Sequence, residues 1–190
     1  MRDKVILVDC DGVLLDWGYS FQQWMKRHGY IIKNPDVYDV GVMYGLERNE
    51  KRRLCRMFNE SATIRKIPPL RDAIKYVKKL HEEQGYVFHA ITSLSDDDYA
   101  QHLRTKNLIE LFGPTVFEKY VYLDTGADKD EELEFYHGTG CIWVEDKLDN
   151  AVAGAKVGLE SIVMEHTYNT DCDFPRMRNW KDIYEYVTGI

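Results

Sequence analysis

Cysteine is sparse and scattered. Cys10, Cys55, Cys141 and Cys172 form no CxxC and no zinc-like spacing, which argues against a thiolate metal site or a disulfide framework. Cys10 and Cys141 fall in strand-like surroundings and are expected to be small buried hydrophobes. The expected compartment is therefore reducing, the cytosol. No uncharged stretch reaches the length of a bilayer span, so no membrane partner is expected. The opening Met1-Arg2-Asp3-Lys4 runs straight into an apolar segment and leaves no room for a signal peptide. Positive charge is also short: 25 Lys and Arg stand against 32 Asp and Glu, a formal charge of -7. That balance disfavours a general attraction to nucleic acid backbone or anionic lipid, although a local basic patch stays open. None of the six histidines pairs with another at metal-ligand spacing. No internal repeat or low-complexity segment is visible.

What is present is enough chain for a real core: 190 residues, 44% of them hydrophobic, suit one domain or a core carrying a small insertion. Its most informative stretch is Val5-Ile6-Leu7-Val8-Asp9-Cys10-Asp11-Gly12. The apolar run suits a strand buried on both faces, as in the middle of a parallel sheet. It breaks into two carboxylates at the end where open α/β sheets place their ligands. Such a juxtaposition is costly unless something positive, most simply a divalent metal, lies between the acids.

Beyond Asp16, Trp17, Phe21, Trp24 and Met25 recur at helical spacing, and a second helical segment over 48–58 carries Arg48, Lys51, Arg52, Arg53 and Arg56, with Leu54, Met57 and Phe58 as apolar contacts. Pro68-Pro69 forces a restart. Thereafter strand and helix alternate: a helix over 70–81, a strand over 86–91 ending in Thr92-Ser93, a helix over 99–108, a strand over 120–123, a helix over 128–135, a strand over 141–144 ending in Glu145-Asp146, a helix over 148–155, a strand over 161–164 and a closing helix over 180–187. This alternation favours a parallel sheet with helices on both faces. The stretch 19–66 interrupts it and is a candidate lid.

Three strands thus end in polar residues: Asp9 and Asp11, Thr92 and Ser93, Glu145 and Asp146. If they are neighbours, the acids converge at one sheet edge, where oxygen ligands favour Mg²⁺ over zinc. An anionic substrate also needs a fixed cation, for which Lys129 at a helix start is the best candidate.

The order Asp9-x-Asp11-Gly12-Val13-x-x-Asp16, a strand plus Thr92, Lys129, and a strand plus Glu145-Asp146-x-x-x-Asn150 resembles the haloacid dehalogenase (HAD) superfamily of phosphotransferases. The resemblance implies a three-layer, Rossmann-like α/β core over 1–18 and 67–190 with a small helical cap over 19–66. It implies a Mg²⁺-dependent phosphomonoester hydrolase in which Asp9 is the nucleophile that forms an aspartyl-phosphate and Asp11 is the general acid and base. Mg²⁺ would be held by Asp9, the backbone carbonyl of Asp11 and Asp146, with Glu145 in or near the outer shell. Thr92, and the amides of Gly12 and Ser93, would bind phosphoryl oxygens, Lys129 would neutralise phosphate and Asp9, and Asn150 would support the acidic loop. Lys119 competes with Lys129 for that role; Lys129 is preferred as closer to the acidic strand. Dehalogenases proper lack an acid at the position of Asp11, so the resemblance favours a phosphatase.

Tyr168-Asn169, after the last core strand, resembles an element of some small nucleotidase-like members. The expected substrate is a nucleotide or another small phosphomonoester. Trp17, Tyr19 and Phe21 are available to stack on a base, but simple packing accounts for Trp17 and Phe21 as well. The basic stretch reads either as a solvated helix face, with Glu47 and Glu50 beside it, or as a contact for a nucleic acid end. An end-processing phosphatase, or a non-catalytic phosphate- or metal-binding protein on the same fold, is the alternative.

Overall fold

The computed structural model describes residues 4–190; the passage of Met1, Arg2 and Asp3 into the first strand lies outside the described residues. Six strands form one sheet: β1 (Val5–Val8), β2 (Val87–Ser93), β3 (Phe117–Leu123), β4 (Ile142–Glu145), β5 (Glu160–Met164) and β6 (Arg176–Met177). Their order is β3-β2-β1-β4-β5-β6, and every pairing is parallel. The chain therefore winds outward from β1 in one direction, then returns to β4 and winds outward in the other. That reversal opens a crevice beyond the carboxyl ends of β1 and β4, where ligands of such sheets bind.

The apolar run of β1 is divided between the two faces by strand alternation. Ile6 and Val8 join a core with Ala73, Val77 and Leu80 of α4 (Ala73–Gln84), Leu103, Leu108 and Phe112 of α5 (Asp98–Phe112), and Trp180 and Ile183 of α8 (Trp180–Thr188). Leu7 joins Trp143, Leu133 of α6 (Asp130–Glu134) and Ala153 of α7 (Leu148–Lys156) on the other face. Three layers result, helices on either side of the sheet. No helix among the described residues is long and apolar enough to cross a membrane.

Between β1 and α4 lie α1 (Trp17–Arg27), α2 (Val40–Tyr44), α3 (Arg48–Asn59) and a 3-10 turn (Ala62–Lys66), the helical cap. Its centre is aromatic: Phe21 stacks on Trp17 with centroids 4.5 Å apart and meets Phe58 edge-on at 5.3 Å. The Trp17 indole N–H donates to Asn59 Oδ1 at 3.0 Å. Of the three aromatics considered for base stacking, Trp17 and Phe21 are thus spent on packing, and Tyr19 stands exposed.

Several boundaries depart from expectation. The helix placed at 70–81 begins at Ala73, because Arg71 takes a left-handed backbone (φ 46°) and Leu70 instead donates its amide to the Leu14 carbonyl at 2.8 Å. The helix expected over 128–135 shrinks to α6, and β3 starts three residues before 120. Met57 faces solvent, and Cys141, just ahead of β4, is only half-buried. The 3-10 turn, α2 and the two-residue β6 are too short to show periodicity.

Candidate active site

Past β1 the ladder continues for one residue, the Asp9 amide donating to the Val144 carbonyl at 3.0 Å. The chain then folds back on itself: the amides of Leu14 and Leu15 both donate to the Cys10 carbonyl at 2.9 Å, and that of Gly12 to Leu15. Gly12 is required here twice over. Its φ of 79° lies in the left-handed region, and a Cβ would stand 2.4 Å from Asp146 Oδ2. Two carbonyls left over by the turn are satisfied from afar, Val13 by the Trp180 indole N–H at 2.8 Å and Gly12 by His166 Nε2–H at 2.7 Å. Asp16 caps α1, its Oδ1 accepting from the Tyr19 amide at 3.1 Å.

At the end of β4, Glu145 turns inward. Its Oε1 accepts from the amides of Asp146 and Lys147, both at 3.1 Å, and its Oε2 accepts from Lys129 Nζ at 2.7 Å and Asn150 Nδ2 at 3.2 Å. Lys129, wholly buried, reaches Asp9 Oδ1 as well, at 2.9 Å. Lys119, the competing lysine, lies over the rings of Phe135 and Tyr136. Asp146 is held through its side chain by the Tyr168 hydroxyl and through its carbonyl by Asn169 Nδ2 at 2.9 Å; the same amide also donates to Met164. Thr92, level with this edge on β2, is buried with a hydroxyl that has no hydrogen-bond partner among the described residues.

Asp9, Glu145 and Asp146 each bring one carboxylate oxygen to within 4.8 Å of the others, all three buried. One ammonium, Lys129, faces them, which leaves a surplus of buried negative charge that only a cation or protons can offset. The donor set is all oxygen and fits Mg²⁺. Four donors already fill the lone pairs of Glu145, so Asp9 and Asp146 are the carboxylates free to take a metal directly, with Glu145 behind them. The Asp11 side chain does not join this group. Its carboxylate instead faces Arg104 of α5, with Nη1 2.9 Å from Oδ1 and Nη2 3.2 Å from Oδ2.

Burial and the charges of Glu145 and Asp11 push the Asp9 carboxyl up to about 7, although Lys129 opposes them. Burial, then Glu145 and Asp9, raises Asp146 well above the ordinary carboxylate range. Glu145 goes the other way: burial alone would raise it, but Lys129 and its amide donors outweigh that and hold it low. For Lys129 burial is outweighed by Asp9 and Glu145, so it stays charged.

These shifts set a stability profile. Between 3.8 and their raised values, Asp9 and Asp146 bind protons in the folded state that the unfolded chain has released, so their contribution to stability falls as pH rises through that window. The metal-free protein is expected to melt higher at about pH 5.5 than at about pH 7.5. Saturating Mg²⁺ should raise the melting temperature most at the higher pH, because the metal then replaces the protons. Thermal melts with chelator and with Mg²⁺ check this, and a pH trend that Mg²⁺ leaves unaltered would count against a metal at these carboxylates.

Sequence reasoning missed Arg104, Tyr38 and His166. For Arg104 there was a trace of a signal, a cation four residues from both Ala100 and Leu108 on a face that must be buried. Tyr38 carried none, since a fold-back of the chain brings it to the site, and His166 lay only in the strand exit ahead of Tyr168-Asn169, with no role read for it. Tyr38, from the cap, meets Tyr168 edge-on at 5.3 Å, and the two rings border a cleft of about 190 Å³ that Asp146, Lys147 and Asp149 complete.

Comparison with known proteins extends the same pattern. No family model matches the chain. An uncharacterized 32.4 kDa protein from the Gp30-rIII intergenic region of Enterobacteria phage T4 is 28% identical over 133 residues, covering 66% of this chain and 47% of that protein. The chain therefore spans about half the length of the curated relative it matches. Among solved structures, a haloacid dehalogenase-like hydrolase from Streptococcus pneumoniae superposes with a TM-score of 0.67 at 14% identity, over 98% of this chain and 99% of the other. A HAD family hydrolase from Deinococcus radiodurans, solved with phosphate and sodium bound, gives 0.64 at 15% identity over 99% and 96%. The HAD-hydrolase YfnB from Bacillus subtilis, solved with magnesium bound, gives 0.62 at 14% identity over the full length of both chains.

Proposed function

We propose that this chain, whose fold is that of the HAD superfamily hydrolases, is a Mg²⁺-dependent phosphomonoester hydrolase working through Asp9, with 19–66 as its cap. The observation that carries the reading is the convergence of Asp9, Lys129, Asp146 and the unpartnered Thr92 hydroxyl at one sheet edge, a nucleophile, a fixed cation, a metal donor and a phosphoryl-oxygen donor within one crevice.

A carboxylate oxygen of Asp9 attacks phosphorus, and the bond from phosphorus to the leaving oxygen breaks as that oxygen takes a proton from Asp11. Asp11 suits the part, since burial raises its carboxyl above the ordinary value even against the pull of Arg104. In the second half Asp11 takes a proton from water, the water oxygen bonds to phosphorus, and the bond to Asp9 breaks to release phosphate. Lys129 holds Asp9 in place and balances charge on the phosphoryl group, to which Thr92 donates a hydrogen bond. Asp9, Asp146 and the Asp11 carbonyl would hold Mg²⁺, which when bound would supply positive charge to screen the repulsion between carboxylate and phosphate.

The cleft bordered by Tyr38 and Tyr168 supports a small substrate with a flat apolar part, a nucleotide being the leading case. Within the basic stretch, Lys51 is paired with Asp39 and Arg56 with Asp124, so less of it is free for a nucleic acid end. All four cysteines are free thiols, in keeping with the cytosol. Release of inorganic phosphate from nucleoside monophosphates, phosphosugars and end-phosphorylated oligonucleotides, with and without Mg²⁺, tests the reading; no Mg²⁺-dependent release from any of them would defeat it. Tyr38→Ala is expected to raise KM for the preferred nucleotide about fivefold or more while moving kcat less, the loss of one stacking contact. Equal KM changes for a nucleotide and for glycerol phosphate would argue against a base at Tyr38.

A further inference from the structure

The pairing of Arg104 with Asp11 is an odd thing for a core to contain. Arg104 sits in the middle of α5, wholly enclosed, in line with the buried Ala100 and Leu108. Its Nη2 donates to Asp11 Oδ2 at 3.2 Å and its Nη1 lies 2.9 Å from Oδ1 as a charge contact, while Nε, Nη1 and Asp11 Oδ1 make no aligned hydrogen bond among the described residues. A buried ion pair is poor value as a stabiliser. Desolvating the guanidinium costs several kcal/mol, and apolar side chains of similar volume in its place are often neutral or better. An unpaired buried N–H adds to that cost. Stability alone therefore gives no reason for an arginine at this position.

Exposure points to the reason. The Arg104 side chain has none, whereas that of Asp11 keeps about 20% of its surface open. The guanidinium meets the carboxylate from the core, where Asp11 Oδ1 is enclosed, and the exposure that the Asp11 side chain keeps lies away from that contact. A single-bonded carboxyl otherwise turns about two side-chain torsions, and in this loop the described contacts of Asp11 offer no other side-chain partner. One hydrogen bond to Oδ2 and a close charge contact at Oδ1 engage both oxygens from one side and so restrict both torsions.

We infer that Arg104 is a positioning residue for the proposed phosphatase reaction: by its two-point grip it orients Asp11 for proton transfer to the leaving oxygen. The inference rests on the reading of Asp11 as acid and base, and Arg104 itself touches neither substrate nor metal.

The leaving group supplies the test. Departure of an alkoxide needs a proton, and departure of p-nitrophenolate hardly does. Arg104→Lys, which keeps the charge and loses the contact of two nitrogens with two oxygens, is expected to lower kcat for an alkyl phosphate about tenfold more than for p-nitrophenyl phosphate, a part of the span usual for general acid catalysis. In an Asp11→Asn background the same substitution should leave the ratio of the two rates unchanged within about twofold, since the group it positions no longer donates. Arg104→Met, of similar length and without charge, should reproduce the loss on alkyl phosphate. Equal losses on both substrates, or a change in the ratio that persists with Asn at position 11, would overturn the inference. So would thermal melts showing both Arg104 variants unfolded, since the pair would then be structural. Absence of Mg²⁺-dependent phosphate release in the unmodified protein would instead remove the phosphatase reading itself.

Discussion

Asp9→Asn is expected to reduce Mg²⁺-dependent phosphate release by at least about 10³-fold, because the amide nitrogen and oxygen that replace the carboxylate cannot form the covalent intermediate. The substitution is nearly isosteric and should spare the fold. The Asp9 amide still donates to Val144, and Lys129 keeps Glu145 as a partner at 2.7 Å. Its effect on stability should even be favourable in the absence of metal. Burial already raises the Asp9 carboxyl toward its neutral form, so removing a charge that the site resists is not a loss. The combination of a lost reaction and an unchanged or higher melting temperature is therefore the expected signature. A variant that retained more than a tenth of the wild-type rate would rule Asp9 out as nucleophile. A variant that lost both rate and fold would leave the same question to Asp9→Glu, whose longer carboxylate is expected to misplace the attacking oxygen and to be nearly as inactive.

Lys129→Met has the second large effect, and this one falls on stability as well as rate. The ammonium of Lys129 is the one cation in contact with Asp9 and Glu145 among the described residues, at 2.9 and 2.7 Å. Methionine of similar length leaves two buried carboxylates facing each other without it. Removing one partner of a buried ion pair costs about 3–5 kcal/mol, a large share of the stability of a domain this size. Glu145 should then lose its depressed pKa, since Lys129 is the strongest of the influences that lower it. The sign of the pH dependence follows: protonation now relieves the repulsion, so the deficit relative to wild type should be greatest near neutral pH and shrink as pH falls toward the carboxylate range. Chemical denaturation at several pH values measures it. A deficit that grew on acidification would show that Lys129 is not balancing these acids.

How much of this was legible beforehand differs from residue to residue. Asp9, Glu145 and Asp146 were legible because each ends an apolar strand; that the two strands are neighbours was a condition the sequence left open and the sheet order meets. Lys129 was legible more weakly, from the need for a fixed cation at a helix start and from the order of the HAD pattern, and Lys119 competed with it for the role. The role of Asp16 was half legible: it belongs to the pattern, but as the cap of α1, where its side chain serves a backbone amide. The rings of Trp17 and Phe21 could be read two ways from spacing, and their contact with Phe58, nearly forty residues on, decides for packing.

Arg104 shows the limit most clearly. Nothing along 93 residues of chain links it to Asp11, and its neighbours on α5 would suit an apolar residue just as well. The same holds for Tyr38 and Tyr168, whose rings meet beside the cleft only because the cap folds back over the sheet. Apolar periodicity, turn residues and strand-end acids act over a few positions, so the sequence by itself determined the parallel sheet, the edge where its acids gather and the kind of ion that suits them. Which carboxylate faces the lysine, which faces the arginine, and what lines the way in depend on side chains meeting across distant elements. Only the tertiary structure decided these, because burial and charge pairing act through space and leave no period in the chain.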